Sequence, residues 1–145
     1  MSASANAPPA TLGAPTGSHR VRDRIARVLL VLSALGAVLA VVGAASAVAD
    51  AGPATRMVET WRLLGFAVFV GMFVLLAYRP RLYAGIWELA ILDKLALAVT
   101  AFAYGSATDG AVTALVADGT ITIMLLAAYL LSRGWTAWST ARSIR

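Results

Sequence analysis

The chain has 145 residues, of which 60% are hydrophobic and 13% charged, with a formal net charge of +5 and a mean hydropathy of +0.80. A soluble domain of this size cannot bury so much apolar surface, so part of its solvent is lipid. The chain has no cysteine, which excludes disulfides, thiol catalysis, iron–sulfur clusters and thiolate metal sites. The single histidine, His19, lies in a polar stretch, which excludes a haem, copper or zinc site built from intramembrane imidazoles. No cofactor is therefore expected. Eleven of the twelve basic residues are Arg, and they flank apolar runs instead of forming a nucleic-acid patch.

Residues 1–19 are mostly Ala, Pro, Ser, Gly and Thr without hydrophobic period. Nothing there offsets the entropy of ordering, so a disordered tail is predicted. Residues 20–132 are predicted to form four membrane spans. The first, about 27–49, is uncharged from Val28 to Ala49 and long enough to cross ~30 Å of hydrocarbon. Gly36, Ala40 and Ala44 share one line of it, with Ser33 and Ala37 beside them, a spacing that lets helix backbones approach. The run Arg20 to Arg27, followed by apolar residues and Ala47-Val48-Ala49 before Asp50, also fits a cleavable signal peptide. The length of the apolar run favours an uncleaved anchor.

Gly52 and Pro53 break the chain before a second span at about 59–78. Arg79-Pro80-Arg81 then predicts a tight turn. A third span is placed at about 82–104, a loop at Gly105 to Gly110, and a fourth span at about 111–131. Residues 133–145, with Trp135, Trp138, Arg142 and Arg145, read as an interfacial cytoplasmic tail. Lipid leaves helices as the way to satisfy the backbone, so the expected fold is all-α, a four-helix transmembrane bundle. Nine Arg fall on one side of that topology (20, 22, 24, 27, 79, 81, 133, 142, 145) and one, Arg56, in the loops of the other. This asymmetry predicts that both termini are cytoplasmic and places the protein in the cell membrane. Trp87, Tyr78, Tyr83, Tyr129, Trp135 and Trp138 are expected in the inner aromatic belt, Trp61 and Tyr104 in the outer one.

Inside the terminal residues of these spans stand five charged side chains: Arg62, Glu88, Asp93, Lys94 and Asp118. A charge at mid-membrane costs about 2.5–3.5 kcal/mol on insertion scales, so such residues face other helices or water and find partners. Asp93 and Lys94 are neighbours that point about 100° apart, which argues against mutual neutralisation. Neither has an opposite charge four residues away. Counting along the hairpins sets Lys94 level with Ile121, and Asp118 one turn, ~5 Å, further out. Arg62 falls close in height to Asp118. The expectation is one network of Arg62, Asp93, Lys94 and Asp118, with hydroxyls available from Thr100, Thr113, Thr120 and Thr122, and with Glu88 separate near the inner surface. Gly65, Gly71 and Gly119 are predicted to mark close helix packing.

Trp61-Arg62-Leu63-Leu64-Gly65 opens the second span; an Arg-Pro turn follows, then a span carrying an acid and a Lys. In this layout, over residues 26–132, the chain resembles the small four-helix membrane proteins of the loose DoxX-like grouping. Some members are similar to quinol-oxidase accessory subunits, so the resemblance implies at most an accessory role, since no haem ligand is present. The chain also resembles small multidrug exporters in size and helix number. Those carry an essential Glu in the first span, where this chain has no acid.

The leading expectation is a non-catalytic accessory or scaffold subunit whose polar network fixes helix register, with the lipid bilayer and a larger membrane complex or further copies of itself as partners. The second is an oligomeric, proton-coupled small transporter using the intramembrane carboxylates. A membrane enzyme acting on a lipid or quinone ranks last, because no nucleophile–base pair is present.

Overall fold

The computed structural model describes residues 17–142, and over these the chain is helical without strands. Four long helices, α1 (Gly17–Asp50), α2 (Arg56–Tyr78), α3 (Ile86–Tyr104) and α4 (Ala111–Ser132), are followed by a 3₁₀ turn at Gly134–Thr136 and a short α5 (Ala137–Arg142). Helix α1 takes in Gly17 to His19, which composition had assigned to the tail; residues 1–16 and 143–145 lie outside the described residues.

Each helix stops where the local chemistry requires it. After α1, Gly52 and Pro53 turn the chain, and the Gly52 carbonyl accepts from the Thr55 and Arg56 amides at 3.1 and 3.0 Å. Arg56 reaches back to the Ala51 carbonyl at 2.9 Å. The Arg-Pro turn is longer than expected: α3 begins at Ile86, not at Leu82. The Leu82 amide donates to the Arg79 carbonyl at 3.2 Å, and Gly85 enters α3 at φ +87°, a conformation that glycine adopts without steric penalty. Arg133 ends α4 in the left-handed region at φ +55°, the single non-glycine residue with positive φ among those described.

Helices α1, α2 and α4 are long and apolar enough to cross a membrane. Helix α3 is not in that set: its 19 residues carry Glu88, Asp93 and Lys94. The outward surface is apolar, with Leu39, Phe102, Trp61 and Ile123 each at least 70% exposed. That is the surface composition of a chain solvated by lipid.

Packing is uneven. Helix α1 lies against α2 and α4, and α3 lies against α4, whereas α2 and α3 barely touch. The buried core gathers toward the end that holds the Arg-Pro turn and α5. It consists of Ala26, Leu30, Ala34 and Ala37 of α1, Phe73 and Leu76 of α2, Trp87 and Ala90 of α3, and Leu125 and Ala128 of α4. We call this the Arg-rich end. Trp87 is fully buried there and donates to the Pro80 carbonyl at 2.8 Å. It is thus a core residue and not part of an interfacial belt. Its ring meets Tyr129 edge-on, and Tyr129 meets Trp135 likewise. Trp61, Tyr78 and Tyr104 are exposed at 65–70%.

The expected glycine contacts are not made. A Cβ added at Gly36, Gly65, Gly71 or Gly119 would meet nothing within 4 Å. The close approach is at Gly134 instead, where a Cβ would crowd Tyr129 and lie 2.9 Å from Trp87 Nε1. The small residues of α1 divide: Ser33, Ala34, Ala37 and Ala44 are buried where α1 lies along its neighbours, as the close-approach spacing predicts, whereas Gly36, Ala40 and Gly43 face a space between the helices.

Candidate functional site

That space is a cleft of about 870 Å³ between α1, α2 and α4. Gly36, Ala40 and Gly43 form one wall and Thr113, Ala117 and Thr120 another. Phe66, Phe69 and Phe73, three to four residues apart on α2, fall on one helical face and line a third side. The large core side chains Leu30, Leu76, Trp87 and Leu125 fill the Arg-rich end and do not line the cleft, and Phe73 belongs both to that core and to the cleft wall. Lys94 and Asp118 reach the cleft, and so does Arg62.

Lys94 is the centre of the site. Its side chain is 3% exposed, with Nζ 3.2 Å from Asp118 Oδ1 and 3.3 Å from Asp93 Oδ2. Nζ also lies 3.7 Å from the centroid of the Phe69 ring. One cation of α3 thus meets a carboxylate of α4 and an aromatic face of α2, across the gap that the two helices leave. A cation over a ring face is attracted by the ring quadrupole, most strongly away from water. Asp118 is 15% and Asp93 43% exposed.

The expected separation of Asp93 from Lys94 is overturned. Their Cα–Cβ bonds diverge, but the four-carbon Lys stem folds back and brings Nζ to its neighbour. The contact is electrostatic only: Asp93 Oδ2 is buried without a hydrogen-bond partner. Arg62 does not join the network. It pairs with Glu59, three residues earlier on α2, and half of its side chain is exposed. A charge pair at that spacing lies on one helix face and closes with little loss of chain entropy. Nor do the threonines serve the carboxylates. The Thr122 hydroxyl donates to the Asp118 main-chain carbonyl at 2.7 Å, a bond within its own helix. With Arg62 and Glu59 balanced, Lys94 faces two carboxylates and the triad carries a formal charge of −1.

Glu88 is separate, as expected, and is exposed near the Arg-rich end. It accepts from Trp138 Nε1 at 2.9 Å and from the Tyr129 hydroxyl at 3.2 Å. Its role is to fasten α5 to α3 and α4. Nearby, Arg81 donates to Asp23 Oδ1 at 2.6 Å and to the Ser132 carbonyl at 2.7 Å, tying the turn to α1 and to the end of α4. Sequence reasoning missed Phe69, Gly134 and this Arg81 junction. Residues 58 and 51 positions apart carry no periodic signal, although Glu59 at i−3 of Arg62 was visible as a rival partner.

Among the described residues no group of three His, Cys, Asp or Glu is placed to hold a metal ion. The Ser33 hydroxyl donates to the Leu29 carbonyl at 3.0 Å, a bond within its own helix. No family model matches the chain, and comparison with curated proteins and with solved structures finds no significant match.

Proposed function

We propose that the chain is a small multi-pass protein of the cell membrane, crossing four times with both termini cytoplasmic, and that it is a non-catalytic accessory or scaffold subunit. The observation that carries this reading is Lys94, 3% exposed and held between Asp118 and Asp93 with Phe69 beneath it. A stably paired, inward-facing network fixes helix register and needs no substrate. Helix α3 fits the fourth crossing by length: 19 residues rise about 28 Å, close to the hydrocarbon thickness. Its buried charge faces α4 and α2, the arrangement that a lipid environment requires. The DoxX-like layout points to the same accessory role.

A second reading, an oligomeric proton-coupled transporter, draws on one observation. The cleft reaches Lys94 and Asp118, and the triad has one carboxylate more than it has cations. Purification from cross-linked membranes separates the two. The accessory reading expects a complex of fixed stoichiometry that Lys94→Met weakens. A chain recovered without a partner, with proton uptake abolished by Asp118→Asn, supports the transporter and sinks the accessory role.

A further inference from the structure

The Arg-rich end holds two recesses that the polar network does not use. The larger, about 420 Å³, is lined by His19, Arg20, Asp23, Arg81, Arg133 and Thr136. The smaller, about 320 Å³, is lined mainly by Asp23, Arg27, Tyr78, Arg79 and Arg81. The Arg81–Asp23 ion pair is the wall they share. Together they gather five Arg around one Asp, and that Asp is already engaged. Among the described residues, Arg20, Arg27 and Arg133 have no carboxylate partner.

Four excess cations around two concave sites repel one another and attract an anion. Guanidinium groups present a planar fork of donors that matches the oxygens of a phosphate. Surface position supplies the source of that phosphate. Tyr78, on the smaller recess, is 68% exposed, and Trp135 and Trp138, in the turn and short helix that follow Arg133, are about half exposed. Aromatic side chains of this kind sit at headgroup level, and basic pockets there receive lipid headgroups. Arg133 adds a backbone argument. It holds φ +55° at the end of α4, where glycine is the common residue and a side chain is disfavoured. The residue that bears this conformation puts a guanidinium on the larger recess.

We propose that these two recesses bind phosphate groups, carried by the headgroup of an anionic phospholipid. The basic residues then do more than orient the chain: they form a site selective for lipid charge. The proposal rests on the multi-pass reading for the depth of the aromatic residues. Alkaline extraction separates the failures: a chain released from membranes loses that reading, whereas one retained but indifferent to lipid charge loses only this inference.

The test is the melting midpoint of the full chain in neutral detergent. Phosphatidylglycerol, phosphatidylcholine and inorganic phosphate are added in separate arms. Phosphatidylglycerol at ten times its Kd raises the midpoint by about 5 °C, and phosphatidylcholine leaves it in place. Arg133→Gly keeps or raises the lipid-free midpoint, since it relaxes the backbone, yet it reduces the phosphatidylglycerol shift. Combined with the exposed Arg20→Gln, it cuts that shift to less than half. Equal shifts with both lipids, or a full phosphatidylglycerol shift in the double variant, overturn the proposal. An equal shift with millimolar inorganic phosphate supports the phosphate site and overturns the lipid as its source.

Discussion

Replacing Lys94 by Met removes the one cation between two carboxylates. At an effective dielectric of about 20, charges 3.2 Å apart attract by about 5 kcal/mol before the cost of desolvation is counted. Desolvation returns much of that, so the net worth of the pair is small. Removing one partner is different, because it strands the other charge: about 3–5 kcal/mol for a fully buried pair. Asp118 is 15% exposed and Asp93 43%, so the stranded acids recover some solvation. Lys94→Met is therefore expected to cost about 3 kcal/mol, the lower end of that range. Asp118→Asn leaves Asp93 beside Lys94 and is expected to cost about 1–2 kcal/mol. The double variant loses cation and carboxylate together and costs less than the sum by at least about 1 kcal/mol. Equilibrium unfolding in mixed detergent micelles measures all three against the unaltered chain. Single costs below about 0.5 kcal/mol, or additivity within that margin, refute the claim that Lys94 and Asp118 form a buried structural pair.

Gly134→Ala brings a Cβ within 2.9 Å of Trp87 Nε1 and against the Tyr129 ring; Trp87 is fully buried and has little room to yield, and Tyr129 is half-buried between Trp87 and Trp135. The substitution is expected to lower stability by about 1–3 kcal/mol, read from the same unfolding curves. Trp87→Phe leaves the Pro80 carbonyl without its 2.8 Å donor; a loss of about 1–3 kcal/mol follows, and an unchanged curve would show that water replaces the bond. Arg62→Gln breaks only an exposed ion pair with Glu59 and is expected to cost under about 1 kcal/mol; a large loss would return Arg62 to the network. Because the chain has no cysteine, single cysteines report topology cleanly. A membrane-impermeant maleimide should label Ser106→Cys in intact cells and spare Ser139→Cys, and the reverse pattern would invert the proposed orientation.

The sequence alone determined the helical class, the apolar runs and most of the boundaries. Those properties follow from composition and from breakers acting within a few residues: Gly52-Pro53, the Arg-Pro turn, Gly105 and Gly110 stand at the observed helix ends. It also pointed to Lys94 and Asp118, because a charge in an apolar run is anomalous wherever the run folds. Their contact at 3.2 Å agrees with counting residues along a hairpin, which fixes relative height. Height is not azimuth, however. The angle at which each helix faces its neighbours depends on how all the side chains interlock, and no local pattern encodes it. The tertiary structure therefore decided that Arg62 turns to Glu59, that Lys94 folds back to Asp93 and sits over Phe69, and that Trp87 is core. It also decided which small residues of α1 pack and which face the cleft: Ser33, Ala34, Ala37 and Ala44 are buried, and Gly36, Ala40 and Gly43 line open space. Small side chains permit close approach without compelling it, so the spacing alone does not say which of them will meet a neighbour.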